Sequence, residues 1–293
     1  MPVFGRFAGE CLKVLTSFPT CYSEVLSSPT KTGVPMEQTI AAILHTLEAE
    51  QGFRILYACE SGSRAWGTPS PDSDYDIRFI YVHPMSWYLS IEEYRDSFET
   101  MLPNDRDLAG WELRKALRLF SIGNIALFEQ LLSPIHYLCD ESFHQRLLAL
   151  QPRFFNAKRA MYSYLKTAEQ TLTQGLVDGR IGIKRFFYVV RPLLACEWID
   201  RHGTMPPVEL SQLMEIDTLP DDVRGETQAL MEQKAEMTDN PSIALSQTLL
   251  DWLEASRKRM ARISDSLPNG TARPDAEPLN VVFRDYAGAV SDS

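Results

Sequence analysis

Asp74 and Asp76 lie two residues apart, at the entrance to the β-branched and aromatic run from Tyr75 to Val82. On an extended chain, side chains two apart leave the same face. Two carboxylates side by side repel each other unless cations sit between them, which is how oxygen ligands hold divalent metal ions. Asp-x-Asp alone is common on solvated strand edges, so the pair gains meaning only from its surroundings. Upstream stands Gly62-Ser63, with ten residues between Ser63 and Asp74. Gly62 lets the chain turn with its amides exposed, and a helical turn begun at Ser63 to Trp66 would point those amides at a phosphate. Ser63 adds a hydroxyl for terminal phosphates, or is an ordinary turn serine. Arg64 either adds charge-assisted bonds to phosphate or pairs with Asp72.

The Gly-Ser pair, the gap and Asp-x-Asp together resemble the signature of the polymerase-β-like nucleotidyltransferase superfamily. The longer string ESGSRAWGTPSPDSDYDIRFIY, residues 60–81, resembles its branch of bacterial and phage proteins, some linked to RNA repair. Gly110-Trp111-Glu112-Leu113-Arg114-Lys115-Ala116-Leu117, Ser133-Pro134 and the segment from Tyr188 to Ala195 extend the likeness over residues 36 to 200. This resemblance implies an α+β palm with a mixed sheet, followed by a C-terminal helical domain. It implies two Mg²⁺ ions, or Mn²⁺, on Asp74, Asp76 and a third carboxylate from a later strand. Asp107 suits that place; Glu112 competes, although its longer side chain would shift the carboxylate outward. The implied reaction moves a nucleoside monophosphate from a nucleoside triphosphate such as ATP to a hydroxyl, with release of pyrophosphate. The family's link to repair implies an RNA terminus as acceptor, while a protein side chain or a small molecule stays open. The rival reading is a non-catalytic nucleotide-sensing or antitoxin-like protein on the same fold. The Arg-x4-His motif of the branch with a helical ribonuclease partner is absent: Cys196 and Pro206 follow Arg191 and Arg201 at that spacing.

Lys184, Tyr188 and Arg191 stand at i, i+4 and i+7, one face of a helix. The two cations suit phosphates and the ring suits a base or ribose; the ordinary alternative is a solvated basic face. Arg191 precedes Pro192 within this run, and a proline in a helix interior costs about 3 kcal/mol. Arg114 and Lys115 face phosphate or solvent. Trp66 reads as a core aromatic ahead of a base platform.

The 44% apolar fraction suffices for a buried core, and a net charge of −10 argues against a surface coated by nucleic acid. Cys11, Cys21, Cys59, Cys139 and Cys196 are odd in number, scattered and without Cys-x-x-Cys. Neither a zinc site nor a disulfide framework is expected, and reduced thiols in a cytoplasmic protein fit better. The histidines show no ligand spacing. No run reaches transmembrane length, so no membrane partner is expected. The chain divides into an N-terminal extension over 1–35, a nucleotidyltransferase domain over 36–140, a helical domain over 141–263 and a tail over 264–293. β signals are expected to end near 141, with Val281-Val282-Phe283 as a docking strand in the tail.

Overall fold

A computed structural model of the chain describes residues 35–103, 105–268 and 274–289. The expected extension over 1–35 lies outside them, Pro35 excepted. Ile40, Ile43, Leu44 and Leu47 follow helical spacing and bury one face of α1 (Met36–Gln51). Gly52, at φ 65°, ends it in the left-handed conformation that glycine adopts without cost. β1 (Arg54–Glu60) follows, then the single turn α2 (Gly62–Ala65), β2 (Tyr75–Val82) and a second short turn, α3 (Met85–Tyr88). β3 (Ser97–Leu102) and β4 (Arg106–Glu112) form a hairpin. α4 (Leu113–Ser121), α5 (Ile125–Leu131), β5 (His136–Cys139) and α6 (Glu141–Phe154) complete the first half.

The five strands make one sheet in the order β3-β4-β2-β1-β5. β2 and β4 run parallel and the other neighbours antiparallel, so the sheet is mixed, as the resemblance implies. Strand parity sorts β2 between two cores. Ile77, Phe79 and Tyr81 pack in the cluster that holds the α1 side chains. Ile80 and Val82 join Leu113, Phe120, Phe128 and Phe143 on the other face. Asp76 and Arg78 share the parity of Ile80 and Val82, at the end of the strand where burial gives way to partial exposure.

The second half packs α7 (Ala157–Gly175), α8 (Ile183–His202), the turn α9 (Leu210–Leu213), α10 (Asp221–Glu236) and α11 (Gln247–Ser266) around their own core. α8 runs unbroken through Pro192, which is buried with its neighbours. Two expectations need correction. Strands do recur after 141: β6 (Arg180–Gly182) pairs antiparallel with β7 (Ser242–Ala244), segments too short to show a period. The tail contains a helix, α12 (Glu277–Ala287), and no docked strand among its described residues. Leu279, Val282 and Tyr286 form its buried stripe and return to the first-half core beside Phe143. No helix among the described residues is long and apolar enough to cross a membrane.

Phe79 fills the space above Gly110 so closely that a Cβ there would fall 2.3 Å from the ring. Gly110→Ala therefore overpacks the sheet and is expected to cost about 1–3 kcal/mol. A lower urea midpoint at unchanged slope is the expected reading; an unchanged midpoint would show that Phe79 has room to move.

Candidate active site

The turn after β1 is built against the second acid. Gly62 has φ +62°, and a Cβ added to it would lie 2.2 Å from Asp76 Oδ2. The carboxylate thus occupies the room a side chain would need. The Asp76 backbone is tied at both ends: its N–H donates to Glu60 Oε1 at 2.8 Å, and its carbonyl accepts from Ser61 N–H at 2.8 Å. Glu60 is fully buried and also accepts from the Tyr137 hydroxyl. Burial pushes its carboxyl up, and the bonds from Tyr137 and the Asp76 amide oppose that rise. Ser133 Oγ anchors the Glu60 carbonyl at 2.6 Å.

Between the two motifs the loop is tied to itself. Ser63 Oγ donates to Ser73 Oγ at 3.2 Å, which also accepts from Ser70 N–H at 2.8 Å. Arg64 donates to the carbonyls of Asp74 (3.1 Å) and Ser73 (2.7 Å) and lies over the Tyr75 ring. It fixes the loop and is not paired with Asp72. That acid instead meets Lys184 Nζ at 3.3 Å and accepts from Ser70 Oγ at 2.7 Å, the larger influence lowering its carboxyl.

Asp76 and Asp107 are register partners on the parallel strands β2 and β4. Arg78 Nη2 sits between them, 3.0 Å from Asp76 Oδ1 and 2.8 Å from Asp107 Oδ2. Burial pushes the Asp76 carboxyl up; Arg78 pulls it back, and the charges of Asp107 and Asp74 push it up again. Asp74 stands one residue before β2, exposed, and shares the cleft with Asp76. Glu112 does not compete for this place. It is buried, accepts the amide hydrogens of Arg114 (2.8 Å) and Lys115 (3.2 Å) as the cap of α4, and accepts from the Tyr88 hydroxyl. Lys115 itself pairs with Asp96 at 2.8 Å, and Arg114 lies over the Tyr88 and Phe283 rings. An all-oxygen set that already draws a guanidinium between two of its members fits a hard divalent cation.

The cleft is walled on the sheet side by Ser63, Trp66, Thr68, Ser73, Asp74 and Asp76. From the helical half come Lys184, Phe187 and Tyr188 on α8 and Lys234 on α10. Tyr188 is 43% exposed and meets Trp66 edge-on at 4.8 Å. Lys234 is only 3% exposed, donates to the Thr68 carbonyl, and has its amine lowered to about 8 by burial and then by the charge of Lys184. Sequence reasoning missed Lys234, although a signal existed: with Val223, Thr227 and Leu230 it falls on the buried stripe of α10. Arg78 and Glu60 were passed over as well.

Arg191 is not brought to the cleft. Two turns beyond Lys184, α8 has entered the core, and Arg191 is 2% exposed. It pairs with Glu129 Oε1 on α5 at 2.7 Å, donates to the Val208 carbonyl at 2.9 Å, and lies over the Trp66 ring. Trp66, partly exposed between Arg191 and Tyr188, belongs to the cleft wall as much as to the core.

Residues 36–285 match the model of the RNA repair pathway DNA polymerase beta family. The uncharacterized protein YcgL of Bacillus subtilis (strain 168) is 43% identical over 199 residues, 68% of this chain and 76% of its own length. Among solved structures, a nucleotidyltransferase-like protein from Exiguobacterium sibiricum 255-15 aligns over 79% of this chain and 75% of its own, at 13% identity. The TM-score of that alignment is 0.28.

Gly62→Ala places a methyl group against the Asp76 carboxylate and strains a positive φ. It is expected to cost about 1–3 kcal/mol in thermal or chemical denaturation, and wild-type stability would mean that Asp76 can swing away freely. Lys234 gives a pH signature. Its amine titrates near 10.5 when unfolded and about 8 when folded, so between those values the unfolded chain holds the extra proton and stability rises with pH. Below pH 8 the cost of burying the charge is fully present. Wild type should therefore gain stability relative to Lys234→Met between pH 8 and 10 in parallel urea titrations; a constant difference would place the amine in water.

Proposed function

Because the chain belongs to the RNA repair pathway DNA polymerase beta family, we propose that it is a divalent-metal-dependent nucleotidyltransferase acting on a hydroxyl at an RNA terminus. The observation that carries this reading is the Asp76 carboxylate resting on Gly62. A bend that leaves no room for a side chain, closed on an acid, holds phosphate-binding and cation-binding groups at one point.

Asp74, Asp76 and Asp107 would hold two Mg²⁺ or Mn²⁺ ions, which when bound acidify the attacking hydroxyl and supply charge for the departing pyrophosphate. In the reaction the acceptor oxygen bonds to the α-phosphorus, and the bond to the bridging oxygen breaks. Pyrophosphate leaves with that electron pair, and Asp107 takes the acceptor's proton. Lys184 exchanges Asp72 for a phosphate, and Lys234 exchanges the Thr68 carbonyl. Ser63 donates its hydroxyl to the terminal phosphates, while Arg64 keeps the intervening loop in place. Tyr188, braced edge-on by Trp66, offers its face to the base. The acceptor assignment follows the family's description. The acidic net charge accords with binding one terminus and not a long duplex.

Arg78 favours one rival. A guanidinium already neutralising Asp76 and Asp107 suits a non-catalytic nucleotide sensor, in which no metal need displace it. Incubation with nucleoside triphosphates labelled at the α-phosphate, Mg²⁺ and RNAs of defined ends separates the two. Label on RNA with matching pyrophosphate is expected, falling at least about a hundredfold in the Asp74→Asn, Asp76→Asn double variant. Lys184→Ala and Lys234→Ala should raise KM for the triphosphate more than they lower kcat. Label on the protein itself would move the acceptor to a side chain, and nucleotide binding without turnover on any acceptor would establish the sensor.

A further inference from the structure

The edge strand β5 ends at Cys139, and α6 begins two residues later. Cys139 stands opposite Tyr57 of β1. Asp140 pins the corner between them: its N–H donates to the Leu56 carbonyl at 2.9 Å, and its side chain accepts from Phe143 N–H at 3.1 Å. Glu141 and His144, three residues apart, share one face of α6. The Cys139 sulfur, a Glu141 carboxylate oxygen and a ring nitrogen of His144 consequently lie within 4.8 Å of one another. None of the three lines the nucleotide cleft.

We propose that Cys139, Glu141 and His144 form a second metal site, taking a Zn²⁺-class ion that clamps the edge of the sheet to α6. His144 is prepared for this. It is 5% exposed, and its Nε2 lies 2.8 Å from the Leu131 carbonyl. A carbonyl only accepts, so Nε2 carries the hydrogen and Nδ1 keeps its lone pair. Metal-ligating histidines are oriented in this way, the second nitrogen donating to a backbone carbonyl. The ring is also locked from its sides. Tyr57 stacks on it at 4.8 Å, with its hydroxyl bonded to the Gln130 carbonyl, and His136 meets it edge-on at 5.2 Å.

A thiolate, an imidazole and one carboxylate form a borderline-soft set that suits Zn²⁺ and disfavours Mg²⁺, unlike the all-oxygen cleft. Without metal the Cys139 sulfur carries an ordinary thiol proton. Binding forms the sulfur–metal bond and releases that proton to solvent. Metal–ligand bonds of about 2.0–2.3 Å require the three atoms to draw closer, and the exposed Glu141 side chain has freedom to move inward. The sequence hides this arrangement, because one cysteine, one acid and one histidine match no Cys-x-x-Cys pattern.

Titration of the full, reduced chain with Co²⁺ tests the proposal. One equivalent should produce a thiolate-to-cobalt charge-transfer absorption that Zn²⁺ reverses. Cys139→Ser should abolish it, and Glu141→Gln, at an exposed position, should weaken Co²⁺ binding by at least about tenfold with an unchanged circular dichroism spectrum. The Asp74→Asn, Asp76→Asn variant should keep the absorption, which separates this site from the cleft. No sulfur band, a band that survives Cys139→Ser, unchanged affinity in Glu141→Gln, or loss of the band in the cleft variant would each overturn it.

Discussion

The crowding of Asp76 against Gly62 is the constraint from which the rest of the cleft follows. A carboxylate can approach a backbone that closely only where no Cβ intervenes. The approach fixes the Gly-Ser bend relative to β2 without a single long side chain. It also creates a problem, since Asp76 is partly buried with Asp107 beside it and Asp74 close by. Like charges in such a place raise one another's proton affinity. Arg78, two residues along the same face, answers that by lying between two of the three acids. Glu60 holds the Asp76 amide from beneath, so the acid is positioned through its backbone and left free to present its oxygens.

Besides the Tyr188–Trp66 and Lys184–Asp72 contacts, the helical half is tied to the segment that leaves the bend at three further points. Leu210 N–H donates to the Trp66 carbonyl at 2.9 Å, Arg191 lies under the Trp66 ring, and Lys234 donates to the Thr68 carbonyl. Arg191 also reaches back to Glu129, which Tyr164 bonds at 2.7 Å. A buried ion pair of this kind adds little net stability over an apolar contact, yet breaking it leaves an uncompensated charge. Its effect is to fix where α8 lies against the first half, and hence where Lys184 and Tyr188 face the acids.

Much of this is legible where partners are near in sequence. The Gly-Ser turn, the paired aspartates and the strand entering at Asp107 follow from local patterns, as do α1 and the long helices of the second half. What escapes depends on distant partners. Lys234 meets a carbonyl 166 residues earlier; its place on the stripe of Val223, Thr227 and Leu230 hints at burial, but nothing local points to that partner. Arg191 shares a helical face with Lys184, yet a face is apolar or wet only once its neighbours are known, and α8 enters the core along its length. Val281-Val282-Phe283 has β-branched character, but the docking of Leu279, Val282 and Tyr286 decides for helix. Glu112 is an acid near other acids; only its bonds to the α4 amides reveal a cap.

Under the proposed function, a chain of net charge −10 would have to receive a polyanion with local cations, and Lys184 and Lys234 are both already engaged. The terms of engagement differ. Lys184 and Asp72 are both more than a third exposed, and such a pair is worth roughly 0–1 kcal/mol, so a phosphate can replace the carboxylate at small cost. Lys234 donates to the neutral Thr68 carbonyl and lies over the Phe187 ring, and burial, then the charge of Lys184, lowers its amine. A phosphate beside it would supply the missing charge and draw that value back up. In that reading Lys184 would exchange one anion for another, whereas Lys234 would gain a directly bonded counter-ion. The larger electrostatic gain on filling the cleft would then fall to the buried lysine, on the helix that faces the Gly-Ser loop from the other half of the molecule.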